Sequence, residues 1–347
     1  MRKTVEIWGI LPPPAGGVSI YCKRLSESLL ENGKDVTFLN FSKSASSEAY
    51  VRNVRCAVLE LLRLPFVTER IIHVQFRNPV FLSLLCLSGW KHDIVITLHN
   101  RKTELQHGIS KLLLQMFFKR VKYVILNDVT FLPILKEKYS LDSEKAVILP
   151  AFIPPRADER RGLTPEIEDF VSGHSIILSA NASILIRNSW GDVYGMDQLI
   201  PMMDFLVNQE KLDVGLVFML SEIGDEAYWM ECLDRIGALG LKENFLISLN
   251  SPANGFEVWE RSDVFIRPTM TDMEGISVKE ALTVGTPVVA SSVCKRPDEC
   301  LLYEPGNVDQ LCSQVLSLIR EPKRIQYSSQ VDAVHEIGRL YEMLELK

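Results

Sequence analysis

Short apolar runs alternate with amphipathic stretches along the whole chain. Val5–Ile10 is the first run, and from Ser19 to about Glu31 the positions Ile20, Leu25, Leu29 and Leu30 form one helical stripe, followed by a strand-like Asp35–Phe41. Strand, glycine-bearing loop, helix and strand make a parallel crossover unit. Further strands are predicted at Arg70–Gln75, Asp93–Leu98, Lys122–Leu126 and Ala146–Leu149. Several are rich in Ile and Val on both faces, as a sheet covered on both sides requires. Pro79–Trp90 reads as a core helix, and Lys111–Lys122 as a core-facing helix with a solvated basic edge.

Pro150-Ala151-Phe152-Ile153-Pro154-Pro155 and the charged Arg156–Arg161 break the rhythm and mark a hinge near 150–160. A second series follows, with strands at Ser175–Ser179, Gly215–Leu220, Asn244–Leu249, Asp263–Arg267, Val288–Ala290 and Cys300–Tyr303. Its helices are Met196–Val207, Asp225–Leu239, Gly255–Arg261, Ser277–Val284 and Asp309–Arg320. A last helix, Ser329–Glu345, has Val331, Val334, Ile337, Leu340, Tyr341 and Leu344 at the spacing of one buried face.

Composition adds exclusions. The 347 residues suit two domains of ordinary size, and the net charge of −6 argues against nucleic acid as the main partner. Met1-Arg2-Lys3 leads directly into a strand, so no signal peptide is expected, and no apolar run reaches the ~20 residues a membrane span needs. Seven scattered cysteines without metal spacing predict reduced thiols, a cytosolic setting and no metal centre.

Candidate chemistry concentrates at Thr271–Ser291 (TDMEGISVKEALTVGTPVVAS). Asp272 and Glu274 stand beside Gly275, and Ser277 precedes Glu280 by the spacing of a capping box. Gly285 can end the helix and Pro287 blocks its continuation, so the stretch reads as loop, short helix, turn and strand. The helix start suits a phosphate, and the carboxylates suit sugar hydroxyls. In the first half, Gly16 and Gly17 open a helix after a strand, without the G-x-G-x-x-G of dinucleotide sites. His99 follows an apolar strand directly and so stands at its carboxyl end, where such sheets bind ligands; His73 ranks lower, as a strand residue.

The focal stretch resembles the donor-site motif of retaining GT-B glycosyltransferases of family 4, in which two glutamates are separated by seven residues. Asp272 and Glu280 stand at the two acidic positions, and Gly275, Ala281, Gly285, Pro287, Val288 and Val289 match in register. Asp for Glu at the first acid, Glu274 at an aromatic position and Ser277 for proline are departures. The resemblance implies an α/β GT-B fold of two Rossmann-like domains facing across a cleft. Residues 1–155 with the returning helix 329–347 would form the acceptor domain, and 156–328 the nucleotide-sugar domain. It implies sugar transfer from a nucleotide-sugar donor, a UDP-sugar, to a glycan or lipid-linked glycan of a cell-surface polysaccharide. No cofactor or metal is expected. Asp272 and Glu274 would hold sugar hydroxyls, the amides of Gly275, Ile276 and Ser277 the diphosphate, and Glu280 the ribose. His99, Gly16 and Gly17 would line the cleft. The family's Arg and Lys-Gly are missing at their usual places, where Ala180-Asn181 and Tyr194-Gly195 stand, so Arg187, Lys295 and Arg296 are the candidate phosphate bases. The alternative to the core-facing reading of helix 111–122 is an interfacial patch making peripheral contact with anionic lipid at the inner membrane face. Two other classes compete: a catalytically degenerate GT-B scaffold subunit, and another nucleotide-dependent α/β enzyme such as a dehydrogenase.

Overall fold

The computed structural model describes residues 3–13, 17–99, 106–189, 191–250, 254–272, 275–322, 324–327 and 332–346. The chain divides into two compact units, Met1–Ile153 with Ser329–Lys347, and Pro154–Ser328.

In the first unit the strands are β1 (Thr4–Gly9), β2 (Val36–Asn40), β3 (Val51–Asn53), β4 (Arg70–Val74), β5 (Asp93–Leu98), β6 (Tyr123–Leu126) and β7 (Ala146–Ile148). They form one parallel sheet in the order β3-β2-β1-β4-β5-β6-β7. The helices are α1 (Gly17–Glu31), α2 (Ala57–Arg63), α3 (Pro79–Ser88), α4 (Gly108–Arg120) and α5 (Phe131–Tyr139). The order reverses at β1, so right-handed crossovers place helices on both faces. Strand alternation divides the core accordingly. Val5 and Ile7 of β1 pack with Tyr21 and Leu25 of α1, whereas Trp8 packs with Leu61 of α2, Leu82 of α3, Leu114 of α4 and Phe131 of α5.

The second unit carries α6 (Pro165–Ser172), β8 (Ile176–Ala182), a small antiparallel pair β9 (Arg187–Asn188) and β10 (Gly191–Asp192), α7 (Met196–Asp204), β11 (Val214–Leu220) and α8 (Glu226–Ala238). It continues with β12 (Phe245–Leu249), α9 (Gly255–Glu260), β13 (Val264–Arg267), α10 (Ile276–Thr283), β14 (Val288–Ser291), β15 (Leu301–Tyr303) and α11 (Val308–Arg320). Its parallel sheet runs β12-β11-β8-β13-β14-β15, again reversing at the first strand of the unit. Helices α7, α8 and α11 cover one face, and α6, α9 and α10 the other.

The last helix, α12 (Ala333–Glu345), belongs to the first unit and lies on the α1 face, where Ile337 and Tyr341 join Leu25 and Leu29. Polar contacts fix it there: Lys3 donates to the Leu344 carbonyl at 3.1 Å, and Lys34 pairs with Glu342. The core-helix reading of Pro79–Trp90 holds for one side of α3 only. Leu82 and Leu85 are buried, but Leu84 and Leu87 are exposed, because a helix that is apolar all round carries no periodic signal to mark its outer side.

Candidate functional site

Strand β13 ends at Arg267, a cation that is only 8% exposed. A buried charge needs a partner, and Arg267 has two. Its Nε donates to Asp272 Oδ2 at 3.0 Å, and its Nη1 donates to Asn181 Oδ1 at 3.0 Å on neighbouring β8. Arg296, beyond β14, reaches the same carboxylate oxygen, its Nη1 donating to Asp272 Oδ2 at 3.0 Å. The Arg296 side chain is fully buried; its Nε donates to the Ser291 carbonyl at 3.3 Å and its Nη2 to Thr269 Oγ1 at 3.3 Å. Burial alone would raise the Asp272 carboxyl, but the guanidiniums of Arg267 and Arg296 outweigh it and hold the acid below the usual carboxylate range. Two guanidiniums thus meet at one carboxylate oxygen.

Helix α10 begins beside this cluster. Its N-cap is Gly275, at φ 68°, and a Cβ there would run into the Arg296 guanidinium and lie 3.1 Å from Asp272 Oδ2. Glycine is what lets the helix start approach so closely. The capping box expected of Ser277 and Glu280 does not form. Gly275 turns the chain into the helix earlier, without a side-chain cap, so Ser277 falls at the second helical position, buried, and Glu280 lies in the helix interior, half-buried. The other end is as expected. Gly285 is left-handed at φ 86°, its N–H donates to the Leu282 carbonyl at 3.0 Å, and the Thr286 N–H donates to the Ala281 carbonyl at 2.9 Å. The positive end of the α10 dipole lies beside the two guanidiniums.

Tyr194-Gly195 leads into α7. Gly195 is left-handed at φ 79°, and a Cβ there would collide with the Pro268 carbonyl, so this turn lies hard against the end of β13. The Arg267 guanidinium sits 5.3 Å from the Tyr194 ring centroid, and Asp192 fixes the turn by accepting from the amides of Tyr194 and Met196 at 2.8 and 2.7 Å. Arg187 is engaged elsewhere: it pairs with Glu231 at 2.8 Å and lies over the Tyr228 ring at 4.2 Å, both on α8. Lys295 is exposed next to Arg296, and Ile276 is the half-buried first residue of α10. Gly16 and Glu274 lie outside the described residues. Arg267 escaped the sequence reading, although a cation closing the apolar strand VFIR was a signal for a buried ion pair.

The first unit has its own pocket, about 200 Å³, lined by Val18 at the start of α1, Gln75 and Arg77 after β4, and Thr97, Leu98 and His99 at the end of β5. Gly17 is the first residue of α1, beside Val18. His99 Nε2 stands 2.8 Å from Gln75 Oε1, and its ring meets Tyr21 edge-on at 4.9 Å. Burial lowers its pKa to about 4. Because an amide oxygen only accepts, the His99 proton sits on Nε2 and leaves Nδ1 as an acceptor. His73, one turn of the network deeper, is wholly buried, and burial first, then His99, lowers its pKa to about 3. Its Nδ1 meets the Tyr341 hydroxyl at 2.6 Å and its Nε2 meets Thr97 Oγ1 at 2.7 Å. His73 is therefore a core histidine tying α12 to the sheet, and His99 is the pocket histidine.

Among the described residues no three His, Cys, Asp or Glu side chains gather as a metal set. All seven cysteines are free thiols.

Residues 188–321 match the family model described as glycosyl transferases group 1. No curated protein matches the sequence. Among solved structures, Alr3699/HepE of Anabaena in complex with UDP and glucose is similar at 13% identity and TM-score 0.65, over 92% of this chain and 90% of that one. A glycosyltransferase of Rickettsia africae ESF-5 is similar at 15% identity and TM-score 0.65, over 100% and 94% of the two chains. A UDP-forming α,α-trehalose-phosphate synthase of Burkholderia xenovorans, in complex with glucose-6-phosphate, is similar at 12% identity and TM-score 0.66, over 99% and 96%. The fold is thus GT-B, and the Arg267–Asp272–Arg296 cluster at α10 lies inside a stretch that matches the group 1 glycosyltransferases.

Proposed function

We propose that this protein is a retaining glycosyltransferase that moves a sugar from a UDP-sugar to a hydroxyl of a glycan or lipid-linked glycan in cell-surface polysaccharide synthesis. The observation that carries the reading is the Arg267–Asp272–Arg296 cluster at the start of α10, within the matched residues. A departing UDP builds negative charge on its diphosphate. The two fixed guanidiniums and the N-terminal amides of Ile276 and Ser277 stabilise that charge without reorganising, so the reading calls on no bound metal or cofactor. Asp272 holds the two guanidiniums in place. Glu280, one turn into α10, accepts from the ribose diol. In the pocket of the first unit, neutral His99 offers Nδ1 to a sugar hydroxyl. The leaving phosphate accepts the proton of the incoming hydroxyl on the face it departs from, which retains the anomeric configuration.

The structural relatives support the donor class: one is described bound to UDP and glucose, and another as UDP-forming. The test is a thermal-shift screen with UDP, GDP, ADP and reduced nicotinamide dinucleotide, followed by UDP release from UDP-sugars. A ligand that binds only the folded state raises the melting temperature. UDP should raise it and the dinucleotide should not, and UDP-sugar turnover separates a transferase from a scaffold that merely binds. A melting temperature indifferent to every nucleotide refutes the proposal.

A further inference from the structure

The pocket of the first unit holds a cation that the fold itself does not use. Arg77, three residues past β4, lines the pocket and is half-buried. It makes no hydrogen bond or ion pair with any described residue. The other half-buried arginines among the described residues of this unit are all engaged. Arg52 pairs with Glu60, Arg63 and Arg70 pair with Glu6, and Arg120 donates to the carbonyls of Trp90 and His92. A guanidinium offers donors only and loses hydration inside a pocket, so it calls for an acceptor there. Arg77 also stands two residues before α3, whose dipole puts its positive end on the same stretch of chain.

The other polar side chains of the pocket are occupied, except for one atom. Gln75 is 4% exposed and uses both ends of its amide, Oε1 on His99 Nε2 at 2.8 Å and Nε2 on His73 Nε2 at 3.1 Å. Thr97 Oγ1 lies 2.7 Å from His73 Nε2. What remains is His99 Nδ1, an acceptor on a ring that burial keeps neutral. Val18 and Leu98 add apolar wall, and among the described residues no carboxylate lines the pocket. A free guanidinium, one acceptor and an apolar wall fit a saccharide that carries its own anion. A neutral sugar would leave the cation facing hydroxyls, whereas a carboxylate or phosphate meets its fork with a bidentate pair of hydrogen bonds. We infer that this pocket takes an acidic saccharide, with its carboxylate or phosphate on Arg77 and a hydroxyl donating to His99 Nδ1. The inference names a substrate class for the proposed sugar transfer, and it rests on that reading for the occupant being a sugar.

The test is a ligand-observed NMR titration of the full-length protein with methyl α-glucoside, methyl α-glucuronoside and glucose 6-phosphate, which share a ring and differ in charge. The wild type is compared with Arg77→Gln and Arg77→Lys, and the melting-temperature shift caused by UDP is measured for each. Arg77 holds no other described part of the fold, so both variants should melt with the wild type and keep its UDP shift. That separates this test from the test of the donor site. The wild type should bind at least one anionic probe about tenfold or more tightly than the neutral one, as hydrogen bonds to a charged group contribute. Arg77→Gln should lose that preference, and Arg77→Lys should keep part of it, because a point charge replaces the fork. Preference for the glucuronoside alone assigns a carboxylate, and preference for the phosphate alone assigns a phosphate. A wild type that binds the neutral probe equally well, or binds none of the three, overturns the inference. So does an Arg77→Gln variant that keeps the preference, or one that loses its UDP shift, because Arg77 would then serve the nucleotide. A wild type without a UDP shift that still prefers the anionic probes supports this inference and contradicts the donor site.

Discussion

Arg296 buries its guanidinium against Asp272, with Nη1 3.0 Å from Oδ2, and Arg267 donates to the same oxygen from Nε at 3.0 Å. The first acid of the motif is therefore the internal counter-ion of two arginines. Replacing Asp272 with Asn keeps the shape and removes the carboxylate that both buried guanidiniums meet. Breaking a buried pair in this way costs about 3–5 kcal/mol. Denaturant unfolding of Asp272→Asn should show that loss, and a variant as stable as the wild type would mean the guanidiniums are not held by this carboxylate.

Gly275 and Gly285 bound the same helix and are both left-handed, but only Gly275 is crowded. A Cβ at Gly285 meets nothing closer than 3.5 Å, whereas one at Gly275 meets Arg296 and Asp272. Gly285→Ala should cost about 1–2 kcal/mol of backbone strain and leave UDP affinity alone. Gly275→Ala should cost at least as much and also weaken UDP binding, because the cluster must shift. Equal affinities in the two variants would detach the cluster from the nucleotide.

His73 and His99 make the protein sensitive to acid. Their folded pKa values, about 4 for His99 and about 3 for His73, lie below the ordinary 6.5, so the unfolded chain takes up protons that the folded chain refuses. The stability each contributes is complete above pH 6.5 and is lost as the pH falls through the folded value. At pH 5 one such group has given up about 2 kcal/mol. His99→Gln should therefore lose less stability between pH 7 and pH 5 than the wild type, by about that amount, in urea unfolding at the two pH values. Parallel losses would show that His99 is already free to protonate.

The two parallel sheets were legible because each strand is a compact apolar run between amphipathic helices; Asp93–Leu98 was read to the residue. The β9–β10 pair was not, since two-residue strands leave no period. The Ser277–Glu280 cap was misread because its outcome depends on the backbone of Gly275, which the spacing does not encode. Arg267 was hidden inside a strand, and its importance appears only when Asn181, Asp272 and Arg296 arrive from distant parts of the chain. The exposed side of α3 was equally invisible, because α3 is apolar on every side and only tertiary packing decides which side is buried.

The most direct test of the account is UDP affinity by calorimetry for the wild type and Glu280→Gln, with melting temperatures measured alongside. Glu280 is half-buried inside α10 and does not cap it, so the change should leave stability nearly unaltered. If its carboxylate accepts from a ribose diol, losing the charge removes roughly 1.5–3 kcal/mol, or about tenfold or more in affinity. The account predicts a wild type that binds UDP and an equally stable variant that binds it at least about tenfold more weakly. A wild type that gives no heat with UDP, or a variant that binds it as well, would contradict the donor site proposed at α10.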